Sequence, residues 1–151
     1  MTPATTTADE RRAANEEVFR ELLRRNGSSR FAEAGELMTE DILCEWPYPP
    51  IPGLTEKRGR DDIVSMFTAR MGRMEDFRFT VTEVYPLVDP DTLIVEYTSD
   101  TRRRQTGIPY RNDYIAVVRF RDGKVSFWRE YLNTLLVAKL IPDEWGVRWQ
   151  D

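Results

Sequence analysis

From Asp9 onward, apolar positions return every third or fourth residue: Ala14, Val18 and Leu22, with Phe19 and Leu23 beside them, fall on one helical face. Asn26–Gly27 stops that run, and Ser28 or Ser29 is placed to cap a second helix whose apolar face is Phe31, Ala34, Leu37 and Met38. Ile42–Tyr48 reads as a strand that leads into Pro47, Pro49, Pro50 and Pro52, residues that belong in a loop or at a sheet edge. A third helix follows Gly59, with Asp61 and Asp62 at its positive end. Along it, Ile63, Met66, Phe67, Met71 and Met74 recur at spacings of three and four. Such a methionine-rich stripe reads first as core and second as an adaptable pocket wall.

Beyond Asp76 the period shortens to two. Phe77, Phe79, Val81 and Tyr85 alternate with Arg78, Thr80 and Thr82, as on a half-buried strand. Asp89–Pro90–Asp91 is a turn; Leu93–Thr101, Tyr110–Phe120 and Val125–Asn133 are further strands, with Asp122–Gly123 closing a hairpin. Thr134–Ile141 reads as a short helix or turn ended by Pro142, and the segment carrying Trp145 and Trp149 is expected to pack back on the body. The polar, Thr/Ala-rich residues 1–8 are expected to be a disordered tail, leaving 9–151 as one domain. Helices followed by a meander predict an α+β fold, three N-terminal helices on one face of a curved antiparallel sheet. Incomplete cover of the concave face would leave a pocket for a small molecule.

Composition narrows the chemistry. With 151 residues, 40% of them apolar, the chain can bury a real core. Its 22 basic and 26 acidic residues are interspersed and leave a net charge of −4, which argues against a nucleic-acid partner. Arg102–Arg103–Arg104 is short enough to be a solvated turn. Histidine is absent, which removes any Ser-His-Asp or Cys-His triad and the commonest metal ligand. The single cysteine, Cys44, sits in an apolar run and reads as an inert buried thiol. No run is long enough for a membrane span and Met1–Ala8 lacks the apolar core of a signal peptide, so the expectation is a cytoplasmic protein without a membrane partner.

Three pieces of sequence carry a family resemblance. Thr106–Tyr114, continued through Arg121–Val125 to Trp128-Arg129-Glu130-Tyr131-Leu132-Asn133, is similar to the C-terminal half of SnoaL-like proteins, a branch of the NTF2-like superfamily. Arg58–Ile63 resembles that family's lead into its third helix, and Glu45–Pro50 its proline-rich strand end. The resemblance implies a cone-shaped fold, an apolar pocket with a few polar groups at its bottom, and frequent homodimers. It also implies pocket chemistry on a small hydrophobic metabolite, of the kind seen in secondary metabolism, without a metal or organic cofactor: isomerisation, cyclisation or hydrolysis, epoxide opening included. The alternative is a non-catalytic binding or dimerisation module, because one fold hosts many functions.

Glu130 is the first catalytic candidate, since it matches the pocket carboxylate of limonene-type epoxide hydrolases and phenazine A/B proteins. A three-residue hairpin with a glycine bulge places Glu130 opposite Tyr114 and Trp128 opposite Ala116, so that Asn112, Tyr114, Trp128, Glu130 and Leu132 share one face. A two-residue turn instead sets Glu130 with Asp113 and Ile115. In an apolar pocket a carboxyl's pKa rises toward the range useful for proton transfer. Outside it, Glu130 would pair with Arg119 or Arg129.

Glu45 is the second candidate; the resemblance sets it where epoxide hydrolases carry a water-positioning asparagine, and two facing glutamates would split into an acid and a base. Tyr97 and Ser99 replace those enzymes' arginine and aspartate, which leaves Tyr97 or Tyr114 to donate a proton. Met66 and Arg70 stand where phenazine proteins place a histidine and a serine, which speaks against phenazine chemistry itself. Trp46, Tyr48, Phe67, Tyr97, Tyr114 and Trp128 are either pocket lining, suited to a flat polycyclic or terpenoid ligand, or plain core. With Ser99, Asn112 and Leu132 they make up the expected binding set.

Overall fold

Helix α1 (Ala8–Gly27) opens on a capping box: the Thr7 hydroxyl accepts from the Glu10 N–H while the Glu10 carboxylate accepts from the Thr7 N–H. The helix thus starts inside the stretch expected to be a tail. The computed structural model describes residues 4–141, so Trp145 and Trp149 lie outside the described residues. Phe19, Leu22 and Leu23 form the buried face of α1, as their spacing predicts.

Helix α2 (Phe31–Gly35) is shorter than expected. Neither serine caps it: Arg30 holds the N-cap position, while Ser29 takes a left-handed φ of 60° and bonds Asp76. Met38, expected on the helix, begins strand β1 (Met38–Glu45) instead. A three-residue strand, β2 (Glu56–Arg58), follows the proline loop, and α3 (Arg60–Met71) follows Gly59. The rest of the sheet is β3 (Arg78–Pro86), β4 (Thr92–Arg102), β5 (Pro109–Arg121) and β6 (Lys124–Leu132), and α4 (Thr134–Leu140) closes the described chain.

The strands order as β2-β1-β6-β5-β4-β3 in one open sheet. One pairing departs from the expected antiparallel arrangement: β1 runs parallel to β6. A parallel partner needs a long connection, and here the whole meander separates the two strands. Inward residues alternate along β5 and β4, and the core forms where they meet α1 and α3 around Ile63, Val95, Ala116 and Val118. Between this sheet face and helices α1, α3 and α4 a cavity of about 200 Å³ remains.

Candidate active site

Strand β6 delivers Glu130 to that cavity by an irregular route. Asp122 and Gly123 form a two-residue turn, both at positive φ (51° and 75°), flanked by the pair Arg121–Lys124. Continued without interruption, this register would set Glu130 opposite Ile115, a residue 40% exposed on the outer face. It is interrupted. Ser126 is an extra residue between the pairs Phe120–Val125 and Arg119–Phe127, and beyond this bulge Glu130 lies opposite the fully buried Ala116. The turn is therefore the two-residue form, yet Glu130 occupies the inner face that the three-residue form predicted.

Within the cavity the Glu130 carboxylate accepts from Trp46 Nε1 at 3.3 Å and from the Tyr97 hydroxyl. Glu130 is partly buried and lines the cavity. Burial disfavours the charged form and outweighs both hydrogen bonds, pushing the pKa up to about 7. The Tyr97 hydroxyl is held well above its ordinary value, first by burial and then by the neighbouring carboxylate. Glu130 can thus exchange a proton near neutral pH while Tyr97 stays a fixed donor.

Two further phenols line the same cavity, Tyr114 and Tyr110. Tyr114 stacks on Tyr97 with ring centroids 4.9 Å apart and bonds Ser99 Oγ at 2.9 Å. Its hydroxyl is 3.3 Å from that of Tyr110, which in turn accepts from Asn112 Nδ2 at 2.8 Å. The Asn112 amide has one possible orientation. Its Oδ1 accepts from the backbone N–H of Asp113 (2.8 Å) and Asn133 (3.0 Å), and its Nδ2 also donates to the Asn133 carbonyl (2.9 Å). Asn112 must therefore donate to Tyr110, whose single proton is left to point at Tyr114 or into the cavity. Burial holds both phenols above their ordinary pKa, most strongly Tyr114.

The structure brings together most of the expected site. Glu130, Tyr114, Trp46, Phe67, Trp128 and Leu132 line the cavity; Tyr97, Ser99 and Asn112 brace its polar groups through the hydrogen bonds above. Two expectations fail. Glu45 does not meet Glu130: it lies on the opposite face of β1 from Cys44 and approaches Arg129 at 3.9 Å, because strand alternation turns it outward. Tyr48 is 63% exposed and packs edge-on against Tyr131, away from the cavity. The methionine stripe divides: Ile63 is core, whereas Met66, Met71 and Met74 are cavity wall. Cys44 is buried beside Trp128 with its thiol pushed well up by burial, as befits an inert group. Tyr110, Asn26 and Arg103 were missed. Tyr110 was within reach of sequence reasoning, since it alternates with Asn112 and Tyr114.

Comparison with known proteins places this architecture. A family model for the SnoaL-like domain matches residues 7–128. The chain belongs to the SnoaL-like family. It is 33% identical over 104 residues to the uncharacterized protein YesE of Bacillus subtilis, covering 69% of this chain and 71% of that one. The crystal structure of a putative isomerase from Bacillus subtilis superposes with a TM-score of 0.77 at 26% identity, over 96% of this chain and 99% of the other. A phenazine biosynthesis-related protein, PhzB2 of Pseudomonas aeruginosa, gives 0.74 at 19% identity over 95% and 92%, which shows a shared fold. The SnoaL-like cone, with helices packed on a curved sheet, is thus the fold expected from the sequence. No helix among the described residues is long and apolar enough to cross a membrane.

Proposed function

We propose that the protein is a cofactor-independent acid–base enzyme that abstracts and returns a proton next to a carbonyl of a small, largely apolar molecule. One observation carries the reading: a carboxyl with a pKa of about 7 and two phenols line the same cavity. Ionised Glu130 takes the proton from carbon. The oxygen of the resulting enolate receives hydrogen bonds from Tyr114 and Tyr110, as developing charge requires of its surroundings. Return of the proton at another carbon completes an isomerisation; attack of the enolate carbon on a second carbonyl closes a ring. Epoxide opening has less support, because Glu45 faces outward and Glu130 is left without a second carboxylate. A cavity of about 200 Å³ suits one or two rings, given that roughly 150 Å³ holds benzene.

The test is proton exchange. Cyclohexenone and β-tetralone are incubated with the protein in deuterium oxide, and loss of the α-proton signal is followed by NMR. Exchange should exceed the buffer rate by about 10²-fold or more and vanish in Glu130→Gln. Exchange that survives that substitution refutes the role of Glu130. Binding of both ketones without exchange would make the cavity a binding module.

We also propose a homodimer built on the outer sheet face, where Ile115 is 40% exposed and Tyr48 63% exposed. Light scattering of the wild type against Ile115→Asp decides it: a dimer should become a monomer.

A further inference from the structure

Buried asparagines in this protein are held by hydrogen bonds, with one exception. Asn15 donates to the Pro90 carbonyl at 3.0 Å and to Asp91 at 3.2 Å, and both ends of Asn112 are bonded. Asn26, the last residue but one of α1 and only 2% exposed, has no hydrogen-bond partner for its Oδ1. A buried acceptor left unpaired is costly. Asn26 also lines the cavity, beside Leu23, Met74, Phe77 and Phe79.

The backbone keeps it there. The next residue, Gly27, accepts from the Phe77 N–H at 2.9 Å, and a Cβ on Gly27 would meet the Phe77 carbonyl oxygen at 2.4 Å. α1 is therefore docked on the segment leading into β3 with no side chain between them, and Asn26 cannot withdraw from the cavity without undocking it. Oδ1 is sealed as it stands; a half-turn of χ2 exchanges the two ends of the amide, presenting the oxygen to the cavity with the backbone unmoved and leaving the nitrogen in the sealed position.

We propose that Asn26 is a ligand-binding residue that accepts a hydrogen bond from a hydroxyl or N–H of the occupant. The natural ligand is then a one- or two-ring molecule with a donor substituent facing α1 and its reacting centre facing β6. This rests on the cavity being a ligand site, and it is independent of what Glu130 does there.

The experiment compares naphthalene with β-naphthol, which adds one hydroxyl to the same two rings. Dissociation constants are read from the fluorescence of Trp46 and Trp128, which line the cavity, in the wild type and in Asn26→Leu. The wild type should prefer the naphthol by about tenfold, the scale of one buried hydrogen bond, and Asn26→Leu should lose most of that preference. Because the replacement removes an unpaired acceptor, the ligand-free variant should melt about 3 °C higher. Asn26→Ala controls for a leucine that overfills the site, and should lose the same preference. An unchanged preference overturns the proposal alone. A fall of several degrees in Tm in both variants, or failure of both to fold, overturns it by giving the amide a structural role. Absence of binding by either probe overturns it together with the ligand-site reading.

Discussion

The Tyr97 hydroxyl reaches the Glu130 carboxylate across an intervening strand. β4 and β6 are not neighbours in the sheet; β5 lies between them, setting Tyr114 opposite Tyr97 and the fully buried Ala116 opposite Glu130.

The Tyr97 contact sets the direction of a first prediction. Its hydrogen bond stabilises the charged carboxylate and is the larger of the two influences that lower the Glu130 pKa. Tyr97→Phe should therefore move that pKa upward from about 7. Trp46→Phe should move it the same way by less. Carbon NMR of labelled glutamate carboxyls, followed through a pH titration, measures both.

Stability should carry the same signature. The Glu130 pKa is raised from 4.5 in the unfolded chain to about 7 in the folded one, so its contribution is complete below pH 4.5 and is lost as pH climbs through 7. The loss amounts to about 3 kcal/mol at most. Glu130→Gln, which cannot ionise, should flatten this part of the curve. Thermal melts of both proteins from pH 4 to pH 8 give the difference directly. Tyr97, Tyr110, Tyr114 and Cys44, ionisable groups near Glu130, are all shifted upward and do not titrate in that window.

Tyr114 and Asn112 should separate in kinetics. Tyr114→Phe removes a donor to the enolate oxygen and should lower the exchange rate by about 10²-fold. Asn112→Leu leaves Tyr114 in place but frees Tyr110 from its fixed donor, so a smaller loss is expected, in kcat rather than in KM. Steady-state kinetics on β-tetralone distinguishes the two.

Glu45→Gln should change little. The residue is partly exposed and its approach to Arg129, at 3.9 Å, is a loose surface ion pair, of the kind worth under about 1 kcal/mol. Exchange rate and Tm should both match the wild type; a large rate loss would restore Glu45 to the site.

Much of this architecture was legible in the chain. The face of α1 and the alternation in β4 and β5 announce themselves because burial on one side imposes a period that the residues must obey. The end of α2 was less readable: Leu37 and Met38 fit a helical stripe as well as a strand start, and Gly35, where a Cβ would meet Val64 at 2.7 Å, answers to packing against α3 that the local pattern does not show. The parallel seam between β1 and β6 has no local signal at all, since it joins segments some eighty residues apart. Within the site, the type of residue at 130 was readable, but the face it occupies depended on Ser126, whose small polar side chain looks the same in a regular strand as in a bulge. Asn26 read as a helix stop, and nothing about its neighbours in sequence marks it as unpaired.

That one extra residue in β6 imposes an arithmetic on the whole hairpin. Between the glycine of the turn and the carboxylate, chain length can change only by even steps; an odd insertion or loss would send Glu130 to solvent and bring Arg129 or Tyr131 inside. Mutation can therefore exchange one cavity side chain for another quite freely, while the count of residues leading to it stays locked.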